Sequence, residues 1–184
     1  MKYPSTTSEI SASVVKTAFS LKMPVLYFFL DKLAKGGGKS VTRILYSLIH
    51  QLANQVNVPD EEDLVFSTTR FLELGGTVET LDKAISTFSD LLVYAPSALL
   101  IVIDGIERLD RFKNNDVDTL VRVFQNQAAR QDVCGGLKKS VKVLFTTAGP
   151  CASLNNLDER VLRTITTKKE NTKRRPGEPR LGRS

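Results

Sequence analysis

A chain of 184 residues, 41% hydrophobic and 25% charged, has the balance of a single globular domain, too short for two comfortable ones. No apolar stretch approaches the roughly 20 residues of a bilayer span, the N-terminus "MKYPSTTSEISAS" lacks the basic-then-apolar pattern of a secretory signal, and two cysteines with one histidine argue against zinc and a disulfide scaffold. A reducing, intracellular, cytoplasmic setting is expected. The net charge of +6 lies mostly in the tail from Thr166, which holds seven basic and two acidic residues, so the body is nearly neutral.

In chain order, "SEISASVVKTAFSL", residues 8 to 21, sets Ile10, Val14, Val15, Ala18 and Leu21 at helical spacing, with Ser8 as the expected cap. "MPVLYFFL", 23 to 30, is short, continuous, aromatic and β-branched, as a buried parallel strand requires. An amphipathic helix over 40 to 55 follows from Val41, Ile44, Leu45, Leu48, Ile49 and Leu52. Pro59 and the acids after it open another helix over 58 to 74, stopped by Gly75-Gly76, and Thr77 begins a third. "ALLIVID" is the most apolar strand signal and ends abruptly at Asp104; a helix follows over 114 to 131, then the strand "VKVLFTTAG", 141 to 149. The tail 166–184 is expected to be disordered.

Three buried strands separated by helices predict an α/β domain with a mostly parallel sheet. Ligands of such sheets bind beyond the carboxyl ends of the strands, which directs attention to Asp31, to Asp104 through Glu107, and to Thr146 through Pro150. An aspartate at the tip of a buried strand is where nucleotide-hydrolysing α/β proteins hold Mg²⁺. Glu107, one turn on, could orient or activate water, and Thr146 and Thr147 would lie beside Asp104. The plainer alternatives are an Asp-Gly turn ending a strand and threonines chosen for strand propensity.

"AKGGGKS" carries the second half of the phosphate-loop pattern G-x-x-x-x-G-K-[ST]: Gly38, Lys39 and Ser40 are present, but Leu33 stands where the first glycine belongs. A leucine cannot freely take the positive φ that position uses, so the favoured reading is a glycine loop before a helix with Ser40 as N-cap. His50, on "SLIHQL", reads as a partly buried helix residue.

"VLYFFLD", "ILYSLIHQLANQ", "LLIVIDGIERLD" and "VKVLFTTAG", in that order and spacing, resemble the NACHT-type STAND P-loop NTPase domain, in its fungal version related to the nephrocystin-type N-terminal module. The likeness covers about Ser8 to Pro150. It implies a partial P-loop NTPase-like three-layer sandwich in which "VLYFF" is the family's second strand. The helix 8–21 then occupies the place of the phosphate-loop helix, with Thr7 at the lysine's position and Ser8 at the hydroxyl's. The first strand is missing, so the sheet order should be VLYFF, LLIVID, VKVLF, with the last at an edge. Asp104 corresponds to the magnesium aspartate and Glu107 to one of two acids, while Arg108 replaces the other. Ala148 follows Thr146-Thr147 where an arginine is usual.

The resemblance thus implies residues 1–165 as a truncated NACHT/STAND NTPase-like domain followed by the tail 166–184. It implies a degenerate module with a regulatory or interaction role in signalling, with ATP and Mg²⁺ as cofactors if any nucleotide is bound, and possibly none. The alternative is an active ATP-binding STAND NTPase using Gly38, Lys39 and Ser40 with Asp104 on the metal; the balance leans away from an enzyme. Partners would be proteins, through adjacent domains or self-association, with no membrane, and nucleic acid only through the basic tail.

Overall fold

The computed structural model describes residues 6–30, 37–56, 67–110, 116–130 and 140–155. Its elements are α1 (Thr6–Ser20), β1 (Val25–Phe29), α2 (Gly37–Ala53), α3 (Thr68–Leu72), α4 (Leu81–Val93), β2 (Ala98–Asp104), α5 (Glu107–Asp110), α6 (Asp116–Arg130), β3 (Ser140–Thr146) and α7 (Ala152–Asn155). The strands form one sheet in the order β1-β2-β3, parallel throughout, with Phe29 opposite Asp104 and Asp104 opposite Thr146. The α/β class and the strand order expected from the sequence are both present, with β3 at an edge.

Side chains alternate across a strand, so the sheet has two faces. One presents Leu26 of β1 with Leu99, Ile101 and Ile103 of β2 to the fully buried stripes of α2 and α4, which include Leu45, Leu48, Phe88 and Leu91. Leu120 and Phe124 of α6 complete this core, and Phe124 meets Phe88 and Phe145 edge to face, both at 5.9 Å. Each such side chain contributes about 1.5–3 kcal/mol on burial, so this face supplies most of the stability. The other face holds a small cluster, Val15 and Ala18 of α1 on Val25 and Val102. Here cover is thinner: Tyr27 and Phe29 stay 37% and 38% exposed, and Tyr27 packs edge to face on Phe19 and Phe29, both at 6.0 Å.

Four boundaries differ from the sequence expectation. α1 begins at Thr6, so Ser8 lies within its first turn and is no cap. α2 begins at Gly37, which places Ser40 inside the helix instead of at its N-cap. The physical reason is that Val41 and Ile44 are fully buried and their amides need the carbonyls of the preceding turn, which overrides the weak helix propensity of two glycines. The helix expected over 58–74 is not continuous: Ser67 is extended, at φ −57° and ψ 146°, and its hydroxyl accepts from the Arg70 amide to start α3 afresh. Residues 57–66, the tail from 166 and the expected boundary at 165 lie outside the described residues. A 3-10 turn, Val78–Thr80, precedes α4, and β3 ends at Thr146, short of Thr147. His50 is exposed, contrary to its expected partial burial.

Candidate functional site

β2 is the central strand, and its apolar run carries Asp104 to the carboxyl end of the sheet, where the residue is only 2% exposed. Backbone bonds fix it from both sides. The Leu30 amide donates to the Asp104 carbonyl at 3.0 Å, and the Gly105 amide donates to the Thr146 carbonyl at 2.9 Å. Gly105 then turns the chain at φ 78°, a conformation glycine adopts without strain. A Cβ there would also stand 3.0 Å from the Arg108 guanidinium carbon, so the backbone angle favours glycine and any side chain would displace the guanidinium.

Hydroxyls surround the Asp104 carboxylate. Ser8 Oγ donates to Oδ2 at 2.6 Å, Ser11 Oγ donates to Oδ1 at 3.1 Å, and Thr146 Oγ1 donates to the same Oδ1. Ser11 Oγ is also 2.8 Å from Thr146 Oγ1 and 3.1 Å from the Thr7 carbonyl. Two hydroxyl protons therefore serve four acceptor contacts, and Ser11, fully buried, can satisfy only one at a time. Hydrogen bonds to a charged group contribute about 1.5–3 kcal/mol each. The cluster ties the first turns of α1 to the ends of β2 and β3.

Glu107 opens α5 and is 8% exposed. Its Oε2 is buried with no hydrogen-bond partner among the described residues, while Oε1 lies 3.7 Å from Arg108 Nε. Arg108 Nη1 donates to the Leu30 carbonyl, so the arginine that stands where a second acid was expected pins the end of β1. Asp104, Glu107 and Thr146 thus converge at one end of the sheet. Thr147 lies one residue past the strand, half-buried, and makes no hydrogen bond to the cluster. Ser11 escaped the sequence reading, although its place three residues after Ser8, in line with Val15 and Ala18, is the signal that could have found it.

Residues 5–147 match the family model of the nephrocystin 3 N-terminal domain. The chain belongs to the nephrocystin 3 N-terminal family. No curated protein and no solved structure matches it. In this family member the matched span begins immediately before α1 and stops just past β3, so it takes in the whole sheet and every residue of the Asp104 cluster. Gly38, Lys39 and Ser40 also fall within it, in the first turn of α2. Their side chains and Asp31 lie outside what the structure describes. The strand leading to them, β1, is hydrogen-bonded to β2, the adjacency a phosphate loop there would require. Among the described residues, no three or more His, Cys, Asp or Glu side chains group to hold a metal, and no helix is long and apolar enough to cross a membrane. The oxygen donors that do converge, one carboxylate with serine and threonine hydroxyls, are of the kind Mg²⁺ takes.

Proposed function

We propose that this nephrocystin 3 N-terminal-type domain is a degenerate NACHT/STAND NTPase-like module with a regulatory or interaction role, binding ATP weakly or not at all. The observation that carries the reading is the engagement of both Asp104 carboxylate oxygens by hydroxyls of the same chain. A cation entering there must replace up to three hydrogen bonds to the carboxylate before it gains anything. Ser8, Ser11, Asp104 and Thr146 serve in this reading as a polar clasp that fastens α1 across the sheet. If Mg²⁺ and nucleotide do bind, Asp104 and the Ser8 hydroxyl are the groups suited to the metal, which would neutralise phosphate charge there.

A second reading, an ATP-binding STAND NTPase using Gly38, Lys39, Ser40 and Asp104, draws support from the adjacency of β1 and β2. Here Thr146 and Thr147 would lie near the phosphates and Glu107 would activate water. Calorimetry with Mg-ATP on the wild type, Lys39→Ala and Asp104→Ala separates the two. The degenerate reading expects no heat beyond dilution, or a Kd weaker than about 1 mM that Lys39→Ala leaves unchanged. Tighter binding that is lost in Lys39→Ala overturns it in favour of the second.

A further inference from the structure

The two edges of the sheet are treated differently. In a parallel strand the N–H and C=O of one residue point to the same side, and successive residues alternate. The Pro24 carbonyl and the Leu30 amide of the β1 segment bond toward β2, so Val25, Tyr27 and Phe29 turn their backbone groups outward. That edge is partly covered by side chains of α2 and of the turn that follows it. Gln51 Oε1 accepts from the Tyr27 amide at 3.0 Å, Gln51 Nε2 donates to the Tyr27 carbonyl at 2.9 Å, and Gln55 Nε2 donates to the Val25 carbonyl at 3.2 Å. One glutamine amide thereby plays the part of a neighbouring strand.

At β3 the Ser140 amide bonds to the Ser97 carbonyl and the Thr146 carbonyl accepts from Gly105, so Val141, Val143 and Phe145 face away from β2. No hydrogen bond to the outward backbone groups of these three residues is made by any described residue. An open edge of this kind is a template for another strand.

We propose that this edge pairs with β3 of a second copy of the chain, antiparallel about a two-fold axis at Val143, to give one continuous sheet across the dimer. Three features select the second copy. The outward donors and acceptors are self-complementary in that register, with Val143 opposite its counterpart and Val141 opposite Phe145. Directly opposed side chains lie on one face, so the half-buried row of Val141, Val143 and Phe145 meets the same row and extends the main core. The one charged residue of β3, Lys142, falls opposite Leu144, which avoids like charges in direct opposition. Gln51 and Gln55 occupy the middle of the β1 edge, so among the described residues β3 is the edge with three consecutive outward-facing residues unpartnered, and pairing of that edge with itself about a two-fold axis closes as a dimer. The inference rests on backbone geometry and holds whether or not nucleotide binds.

Sedimentation velocity and light scattering on the full chain, over a micromolar concentration series, test it against the 20.4 kDa monomer mass. The wild type is expected at twice that mass at the upper concentrations. Val143→Pro removes the central outward N–H while leaving the ladder to β2 intact, and is expected to weaken dimerisation at least about tenfold with an unchanged far-UV circular dichroism spectrum. Val143→Ala, which keeps the backbone donor, is expected to dimerise. Should the proline variant lose its fold, hydrogen exchange of the wild type decides instead: the Val143 and Phe145 amides are expected to be protected at high concentration and to lose that protection on dilution. A wild type monomeric throughout, a folded proline variant that dimerises as well as wild type, or edge protection independent of dilution overturns the proposal; the last would mean that the chain seals the edge itself.

Discussion

Asp104 is held at the end of the central strand by Ser8, Ser11 and Thr146, drawn from the helix before the sheet and the strand beside it. Removing one hydroxyl from so tight a group leaves a buried acceptor short of its donor, which costs about 1–3 kcal/mol. Ser11 is the sharpest probe, because it is fully buried and touches both Asp104 and Thr146. Ser11→Ala is expected to lower the unfolding free energy by about 1–2 kcal/mol, read as a shift in the urea midpoint with the slope unchanged. An unchanged midpoint would mean that the clasp is solvated and adds nothing. Gly105 and Arg108 complete the setting: the glycine leaves room for the guanidinium, and the guanidinium reaches back to the Leu30 carbonyl.

Among the elements, α2 is built with more than one duty. Its apolar stripe of Val41, Ile44, Leu45, Leu48 and Leu52 is fully buried, as the helical spacing predicts. Its polar positions are equally specific: Gln51 Nε2 bonds both the Tyr27 carbonyl and Ser47 Oγ, at 2.9 Å and 3.0 Å. This gives a physical reason for "SLIHQL", whose glutamine pairs with the β1 edge, held in place by the serine, while its Leu and Ile residues fill the core. Gln51→Ala is expected to cost about 1 kcal/mol for the lost bonds and to promote association through β1, measured as a concentration-dependent rise in light scattering. A variant as monodisperse as wild type would remove that protective role.

At the scale of the whole molecule the two faces of the sheet are unequal. α2, α4 and α6 share one large core, whereas α1 is held by the four-residue apolar group of Val15, Ala18, Val25 and Val102 together with the Asp104 cluster. Local stability follows buried contact, so hydrogen exchange of α1 amides is expected to be faster than that of α2 and α4, and faster again in Ser11→Ala. Equal protection in all three helices would show that α1 opens only with global unfolding.

Much of this was legible in the sequence because it depends on local periodicity. The run "LLIVID" ending in a carboxylate, the stripe of α2 and the alternation of helices with apolar strands each declare an element, and three buried strands joined by helices impose a parallel sheet. The position of Thr146 opposite Asp104 follows from strand ends alone. Other features could not be read that way. Whether Ser40 caps α2 or sits within it depends on how deeply Val41 and Ile44 are buried; whether Ser67 breaks the helix expected from Pro59 depends on a hydroxyl meeting the Arg70 amide. That Ser11 faces Asp104, ninety-three positions away, and that Gln51 pairs with Tyr27 at one edge while no described residue pairs with the outward side of β3, are matters of which surfaces meet. Sequence by itself determined the elements and their class, since those follow from hydrophobic period; only the tertiary structure decided which hydroxyls occupy the carboxylate and which edge is exposed, because such contacts join residues that no local pattern relates.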